Sequence, residues 1–220
     1  ITRKSDIIRL LLKNKADTEE ICGDGQFTAL HGAATEGNHE IVEILLEHNA
    51  NMSAVNKKGL NCFLGACASG NVKTAELFVK AGMNPNARSP SGNNGIIMST
   101  LMQHDEMLAF LLDHGCDPNE ALINGASPLL LAVEKKNAKV VRMLLEGGAN
   151  PNTPSSRDLH PITIAAFKGD AAVVEALLEY GADPNPPMNS HMGIEGSPLQ
   201  IAQRFNHMEI VNILSQAGAK

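Results

Sequence analysis

A short turn returns every 33 residues in this sequence, and this period constrains the fold more than any other feature. "KAGMNPN" ends at Asn86, "DHGCDPN" at Asn119, "EGGANPN" at Asn152 and "EYGADPN" at Asn185. Periods of about 20–50 residues are typical of stacked supersecondary units. In such an array each unit packs only against its neighbours, so we expect a repeat protein rather than a single layered core.

The start of each unit predicts a helix. Six units begin, in order, at Thr28, Asn61, Asn94, Ser127, His160 and Ser197, at spacings of 33 residues and, for the last, 37. Thr, Asn and Ser are good N-caps because the side-chain oxygen accepts a free backbone N–H, and Pro follows three of these positions, where its missing N–H does no harm. His160 is the one poor cap.

A second helix follows about ten residues after each cap. Segments such as "HEIVEILLEHNA" and "AAVVEALLEYGA" place apolar residues at three- and four-residue steps, with Glu on the other face. Each segment ends at a residue type that tolerates the left-handed conformation of a helix end: Asn49, Gly82, Gly115, Gly148, Gly181 and Gly218. The Pro and Asn residues beyond lead into a polar hairpin loop.

Each helix pair exposes an apolar face that only stacking buries. The second helices share the column Leu45, Phe78, Leu111, Leu144, Leu177 and Leu214, and the first helices share the column Ala33, Ala66, Ser99, Ala132, Ala165 and Ala202. Small side chains in the first helix let helices approach closely. The predicted fold class is an all-α repeat solenoid of stacked helix-turn-helix units with projecting hairpin loops.

The motifs "TALHGAA", "SPLLLAV" and "KVVRMLLEGGANPN" resemble the ankyrin repeat, whose hallmark is T-P-L-H-x-A. The resemblance covers nearly the whole chain. It implies one ankyrin repeat domain, 1–220, divided as follows: a partial repeat 1–27, repeats 28–60 and 61–93, a degenerate repeat 94–126, a repeat 127–159, a repeat with a lengthened loop 160–196, and a C-terminal capping repeat 197–220. The chain begins inside an incomplete repeat, so we expect it to be cut from a longer protein, with Ile7, Ile8 and Leu11 facing water.

Two departures from the motif matter. Its His survives only at His31, so the polar network implied by the resemblance is expected there alone. In the unit 94–126, Gly95 stands where Pro would, and Gln103 replaces a glycine between the helices. These changes predict a short or displaced first helix in that unit.

Composition excludes several classes of function. A net charge of −6 argues against general affinity for nucleic acid or anionic membranes, because both require basic surface. Four cysteines, Cys22, Cys62, Cys67 and Cys116, are too few for a disulfide scaffold and lack zinc-site spacing. With no apolar signal region or membrane span, we expect the chain in the cytoplasm or nucleus. As an isolated fragment we expect it to be a monomer.

Catalytic and metal-binding patterns do not emerge. The eight histidines lack the H-x-x-x-H spacing that places two ligands on one helix face, and Asp105 and Glu106 suit the start of a helix. "GDG" and "SGNNG" are loop segments without the lysine of a phosphate-binding loop. We therefore predict no enzyme, no cofactor and no metal.

The resemblance also implies a modification. In ankyrin repeats, the Asn that closes the hairpin loop can be hydroxylated by an asparaginyl hydroxylase. That position is occupied here by Asn86, Asn119, Asn152 and Asn185. A purely structural role for these residues is the alternative.

The resemblance further implies a concave face lined by the first helices and the loops. Its apolar candidates at the exposed helix ends are Leu101, Met102, Phe167 and Phe205, and its basic candidates are Lys135, Lys168, Arg204, Lys57, Lys58 and Arg157. Large apolar and Arg side chains are enriched in interfaces, but each apolar residue alone is as well explained by packing on a neighbouring helix. Residues 94–126 carry five acidic residues and no Lys or Arg, whereas residues 127–159 have a net charge of +2.

Three functions remain open from the sequence. The first is a non-enzymatic interaction module that binds a peptide or protein on its concave face. The second is the substrate-recognition region of a larger enzyme such as a ubiquitin ligase or kinase. The third is a structural spacer, for which substitutions on that face would change nothing.

Overall fold

The computed structural model describes residues 3–187 and 196–220, and within these ranges the chain forms thirteen α-helices and no extended strand. The helices are, in chain order, α1 Arg3–Lys13, α2 Ala29–Thr35, α3 His39–Glu47, α4 Cys62–Ser69, α5 Val72–Lys80, α6 Gly95–Met102, α7 Asp105–Asp113, α8 Pro128–Glu134, α9 Ala138–Glu146, α10 Pro161–Lys168, α11 Ala171–Glu179, α12 Pro198–Arg204 and α13 Met208–Gln216. Each even-numbered helix is the first helix of a pair, and the following odd-numbered helix is the second.

The chain divides into two compact units, an N-terminal unit of residues 1–116 and a C-terminal unit of residues 117–220. In the N-terminal unit, α2, α4 and α6 stack in one layer, and α1, α3, α5 and α7 stack in a second. In the C-terminal unit, α8, α10 and α12 form the first layer, and α9, α11 and α13 the second. The two layers confirm the predicted helical repeat in each unit. The finer division of the sequence into repeats remains our proposal.

Side-chain caps begin the first helices where the sequence predicts them. The oxygens of Thr28, Asn61, Asn94, Ser127 and Ser197 each accept the backbone N–H three residues on, at 2.9–3.4 Å. His160 precedes α10 without a side-chain cap bond. Four of the second helices, α3, α5, α9 and α11, also begin with a side-chain cap. The capping residues are Asn38, Asn71, Asn137 and Asp170, respectively.

The predicted helix ends are also confirmed. Positive φ angles of 60–93° occur at Asn49, Gly82, Gly115, Gly148, Gly181 and Gly218. A left-handed residue stops the helix and turns the chain toward the next loop. Two loops of the N-terminal unit close as short hairpins, with isolated bridges between Cys22 and Phe27 and between Val55 and Asn61.

Both predicted packing columns are buried. The second-helix column has exposed fractions of 2% or less, and the first-helix column has 6% or less. A fully buried Leu or Phe contributes about 1.5–3 kcal/mol relative to exposure. Each helix pair therefore contributes one buried side chain to each of the two packing columns.

The prediction of a short or displaced α6 was wrong. This helix has eight residues, as many as α4 or α10, and it packs on α4 and α7 as its counterparts do. Asn94 caps it, and Gln103 takes the left-handed conformation at φ 59°. Gly95 lies so close to the core that an added Cβ would come within 2.9 Å of a Leu111 methyl carbon. The absence of a side chain at Gly95 thus permits α6 to pack closely on the core.

Two further expectations concern the ends of the repeat array. Ile7 and Leu11 of α1 are exposed as predicted, whereas Ile8 is half-buried. The lengthened loop of the unit 160–196 falls largely outside the described residues, because 188–195 are not among them. Among the helices of the described ranges, none is both long and apolar enough to traverse a lipid bilayer.

Candidate functional site

The C-terminal unit contains a groove between the surfaces of α8 and α10 and the loops that precede them. Its volume is about 480 Å³, and we call it the large groove. Its walls are formed by Leu122, Asn124, Ala126, Leu130, Leu131, Glu134, Ser155, Ser156, Arg157, Leu159, Ile164, Phe167 and Lys168. The lining brings together three predicted site residues, Arg157, Phe167 and Lys168, with aliphatic side chains that were not predicted.

Two similar turns shape the lip of the large groove. In the first, Leu122 and Ala126 are joined by an N–H···O bond of 3.0 Å; in the second, Ser155 and Leu159 are joined by one of 2.9 Å. Gly125 has a φ of 81°, and a Cβ there would lie 2.9 Å from Cβ of Ser156. The two loops therefore touch, and a side chain at 125 would separate them.

A pair of phenylalanines stands at the helix ends beside this groove. The rings of Phe167 and Phe205 meet edge to face, with centroids 5.0 Å apart. Phe167 is half-buried in the groove wall, whereas Phe205, at the end of α12, is 43% exposed. His207 stacks on Phe205 and donates from Nδ1 to the carbonyl of Ala166 at 3.0 Å. Each ring packs on its neighbour and also presents surface to solvent.

Cationic residues mark the ends of all three first helices in the C-terminal unit. Lys135 follows α8 directly, and Lys168 and Arg204 are the last residues of α10 and α12. Lys135 and Arg204 are exposed and lie outside the groove lining, while Lys168 forms part of it. Positive charge at a helix C-terminus is favoured by the helix dipole. The same placement puts three cations in one row, which we call the cationic row.

The N-terminal unit has a smaller groove of about 240 Å³ between α2, α4 and their loops. Phe27, His31, Leu64 and Met98 are its main apolar and aromatic walls. The predicted residues Lys57 and Lys58 lie at its edge.

Backbone bonds fix the loop that carries these lysines. Lys57 donates its N–H to the carbonyl of Gly25 at 2.9 Å, and the buried Asn56 accepts from the N–H groups of Lys58 and Leu60. The lysine side chains are exposed.

Leu101 and Met102 lie at the end of α6, in the N-terminal unit. Met102 is 51% exposed and Leu101 is half-buried. The small groove includes Met98 in its wall but neither of these two residues. They occupy the predicted helix end and line neither the large nor the small groove.

His31 forms the polar network expected of it. Its Nδ1 accepts the N–H of Thr28 at 3.3 Å, and its Nε2 donates to the carbonyl of Leu60 at 3.3 Å. Burial lowers the pKa of His31 from its ordinary value of 6.5. A neutral ring fits both bonds, because protonation of Nδ1 would remove the acceptor.

Two of the buried cysteines, Cys62 and Cys67, are poor nucleophiles. Burial raises the pKa of Cys62 to about 12 and also raises the pKa of Cys67. A thiol reacts as the thiolate, which is scarce at neutral pH when the pKa is raised. In the part of the chain that the structure describes, no cluster of three or more His, Cys, Asp or Glu side chains is arranged to hold a metal ion.

Three of the asparagines predicted as modification sites bridge consecutive loops. Asn119, Asn152 and Asn185 donate from Nδ2 to the carbonyls of Gly148, Gly181 and Gly218, respectively, at 3.0–3.1 Å. Their Oδ1 atoms accept the N–H groups of Asn150, Asp183 and Lys220, respectively, at 2.7–2.8 Å. Hydroxylation of Asn86, Asn119, Asn152 and Asn185 stays a prediction, and at three of these positions it would act on a hydrogen-bonded side chain.

Sequence reasoning missed the loop residues of the grooves. Leu122, Leu159 and Phe27 contribute apolar surface from segments that are otherwise polar, and Ile123 next to Leu122 is 83% exposed. Apolar residues within these polar loops were the available signal.

Comparison with known proteins gives the family. The family described as ankyrin repeats (3 copies) matches residues 1–89 and 63–155, and the single ankyrin repeat matches residues 157–189. The chain belongs to the ankyrin repeat family. A comparison with curated proteins gave no match.

Solved structures of ankyrin repeat domains share this fold. The domain of Bcl-3, described as a unique member of the IκB protein family, is 23% identical with a TM-score of 0.80, covering 96% of this chain and 91% of its own. The human ASB11 domain is 20% identical with a TM-score of 0.82, covering 96% and 93%. A domain from Acinetobacter baumannii AYE is 25% identical with a TM-score of 0.78, covering 87% and 98%.

Proposed function

We propose that this ankyrin repeat protein is a non-enzymatic module that binds a protein or peptide through the face formed by its first helices and loops. The ankyrin repeat is a general protein–protein interaction fold, and the family implies protein partners. The observation that carries the proposal for this chain is the large groove with the partly exposed Phe167–Phe205 pair beside it. Aromatic and Arg side chains are enriched at the centres of interfaces, and this apolar groove has Phe167 and Arg157 in its lining.

The spacer alternative accounts less well for this surface. A spacer needs only the buried columns that hold neighbouring repeats together, and the two columns described above supply them. It does not need Phe205 or Ile123 exposed beside a groove, since soluble surfaces favour polar side chains at such positions. Substrate recognition within a larger enzyme would use the same groove. That second alternative therefore concerns the protein to which this domain belongs and does not change the binding site.

The test replaces Phe167 and Phe205 with Asp, separately and together. It measures how much of the partner proteins captured from lysate by the wild type each variant retains, and the melting temperature of each variant. We expect Phe205→Asp to reduce retention strongly while the melting temperature stays within a few degrees, because the ring is partly exposed. Phe167→Asp tests the groove wall and is expected to cost more stability.

Ile7→Asp is the matched control, because it introduces the same charge at a 55% exposed apolar residue on α1. Unchanged retention in Phe205→Asp would contradict the proposal. A large fall in melting temperature for that variant would show instead that its ring serves the core.

A further inference from the structure

We propose that the large groove takes an extended, acidic segment of a partner protein that inserts an apolar side chain beside Phe167. This inference rests on the proposed function and adds the chemistry of the partner. It depends on three features of the C-terminal unit: the floor of the groove, the exposed Ile123 and the cationic row.

The floor of the groove selects an apolar side chain. Leu122, Leu131, Leu159 and Ile164 supply aliphatic walls, with Phe167 at one edge. A volume of about 480 Å³ leaves room for a large side chain and part of its backbone. Removing such a side chain from water is favourable by about 25 cal/mol per Å² of apolar surface.

Ile123 lies in the turn at the lip, between the lining residues Leu122 and Asn124, and is not itself part of the lining. It is 83% exposed, although the turn around it is held by hydrogen bonds between Leu122, Gly125 and Ala126. These bonds hold the backbone of the turn, so binding there orders little additional main chain. Ile123 therefore offers apolar contact to a ligand segment that passes over the lip.

The cationic row selects acidic residues on either side of that anchor. Lys135, Lys168 and Arg204 end the three first helices of this unit, while the corresponding residues in the N-terminal unit include no cation: Thr35, Glu36, Ala68, Ser69, Leu101 and Met102. Glu134 is the acidic member of the groove lining, against Arg157 and Lys168.

The negative net charge of the chain does not cancel this local preference. Glu146, Glu175, Glu179 and Glu209 lie on the second helices of the C-terminal unit, together with Lys139 and Arg142 on α9. At physiological ionic strength, charges more than about 8 Å apart are largely screened. Acidic residues also lie at the first-helix ends and in the groove loop: Glu134, Asp158 and Asp170. Five cations in the same segments outnumber them: Lys135, Lys136, Arg157, Lys168 and Arg204. A ligand there therefore meets a net positive charge.

The spacing of the row favours an extended ligand. Adjacent packed helices lie about 8–10 Å apart, and an extended chain advances about 3.3 Å per residue. Acidic residues three apart in an extended segment therefore match successive first-helix ends. A helical ligand advances about 1.5 Å per residue and would need acids about six residues apart.

The probe is a phage library of random ten-residue peptides selected against the full chain, followed by synthesis of the consensus peptide for fluorescence polarisation. We expect enrichment of peptides with Asp or Glu at three-residue spacing around a Leu, Ile, Phe or Met. Neutral or basic consensus peptides, acids about six residues apart, or no enrichment would overturn the inference.

Two variants separate the charge contribution from the apolar contribution. Lys168→Glu is expected to weaken binding of the consensus peptide about tenfold at low salt, with a smaller effect at 0.5 M salt. Ile123→Ser keeps the charge and is expected to weaken binding about fivefold, with little salt dependence. Lys73→Glu, on α5 of the N-terminal unit, is the charge-matched control and is expected to stay within twofold.

The same experiment distinguishes this inference from the proposed function. Neutral or basic peptides that bind the wild type and are lost in Phe205→Asp would refute the acidic partner while leaving the binding surface intact. Equal loss of peptide binding in Lys73→Glu and Lys168→Glu would refute the role of the cationic row in selecting acidic residues. A single-stranded oligonucleotide that binds more tightly than the consensus peptide and depends on Lys168 would also overturn the inference.

Discussion

At the scale of single residues, the fold depends on whether each helix start has a side chain that accepts a free backbone N–H. Ser127 and Ser197 do so in front of Pro128 and Pro198, and His160 stands at the same position in front of Pro161 without such a bond. The Nδ1 atom of His160 is also buried with no hydrogen-bond partner. Both conditions reduce stability, because an orphan donor and a buried unpaired nitrogen each cost free energy.

His160→Ser is therefore expected to stabilise the protein. A serine cap contributes about 1 kcal/mol relative to a residue that cannot cap. We expect the free energy of unfolding in urea to rise by about that amount, and Ser127→Ala to lower it similarly. A His160→Ser variant no more stable than the wild type would contradict this account of the helix start.

The second residue-scale prediction concerns acid. Because burial holds the pKa of His31 below 6.5 in the folded chain, the unfolded chain binds more protons as the pH falls. The contribution of His31 to stability is therefore complete above pH 6.5 and is lost progressively as the pH falls below that value.

His31→Gln is the matched comparison for this effect. Gln200 forms a capping box with Ser197, so glutamine can replace the bonds that His31 makes with Thr28. We expect the stability of the wild type to fall more between pH 7.5 and 5.5 than that of the variant, as measured by urea unfolding. Equal falls would show that His31 does not titrate with unfolding.

At the scale of elements, consecutive loops of the C-terminal unit are joined by asparagine side chains. Asn152 donates to the carbonyl of Gly181 at 3.0 Å and accepts from the N–H of Asp183 at 2.8 Å. Asn119 and Asn185 repeat the arrangement. The carboxamide therefore links the end of one second helix to the loop of the preceding repeat.

Asn152→Ala removes both bonds, whereas Asn152→Asp keeps only the acceptor. An exposed hydrogen bond contributes about 0.5–1.5 kcal/mol, so we expect Ala to cost about 1–2 kcal/mol. Asp keeps the bond to the Asp183 amide but turns a carboxylate oxygen toward the Gly181 carbonyl, so it is expected to destabilise as well. Hydrogen exchange at the Asp183 amide should accelerate most in the alanine variant. Unchanged exchange in that variant would mean that the link does not hold the loop.

Element boundaries were predictable because their causes are local. Caps such as Ser127 and the left-handed residue Gly148 act on the chain beside them, so sequence alone places both helix ends. The error at α6 has the opposite origin. Gly95 lowers helix propensity, but its close approach to Leu111 in another helix offsets that cost.

At the scale of the whole molecule, the site was only partly predictable. Phe167, Lys168 and Phe205 follow from the 33-residue period, because the period fixes which residues end each first helix. The groove wall formed by Leu122 and Leu159 does not follow from the period. It depends on two loops that meet at Gly125 and Ser156, a contact between residues 31 positions apart that no local pattern specifies.

The most direct test of the central claim is hydrogen–deuterium exchange of the full chain with and without a captured partner. We expect added protection at the ends of α8, α10 and α12 and in the loops at 122–126 and 155–159, with little change on α9, α11 and α13. Protection confined to the second helices would contradict the claim that this protein binds through its first-helix face.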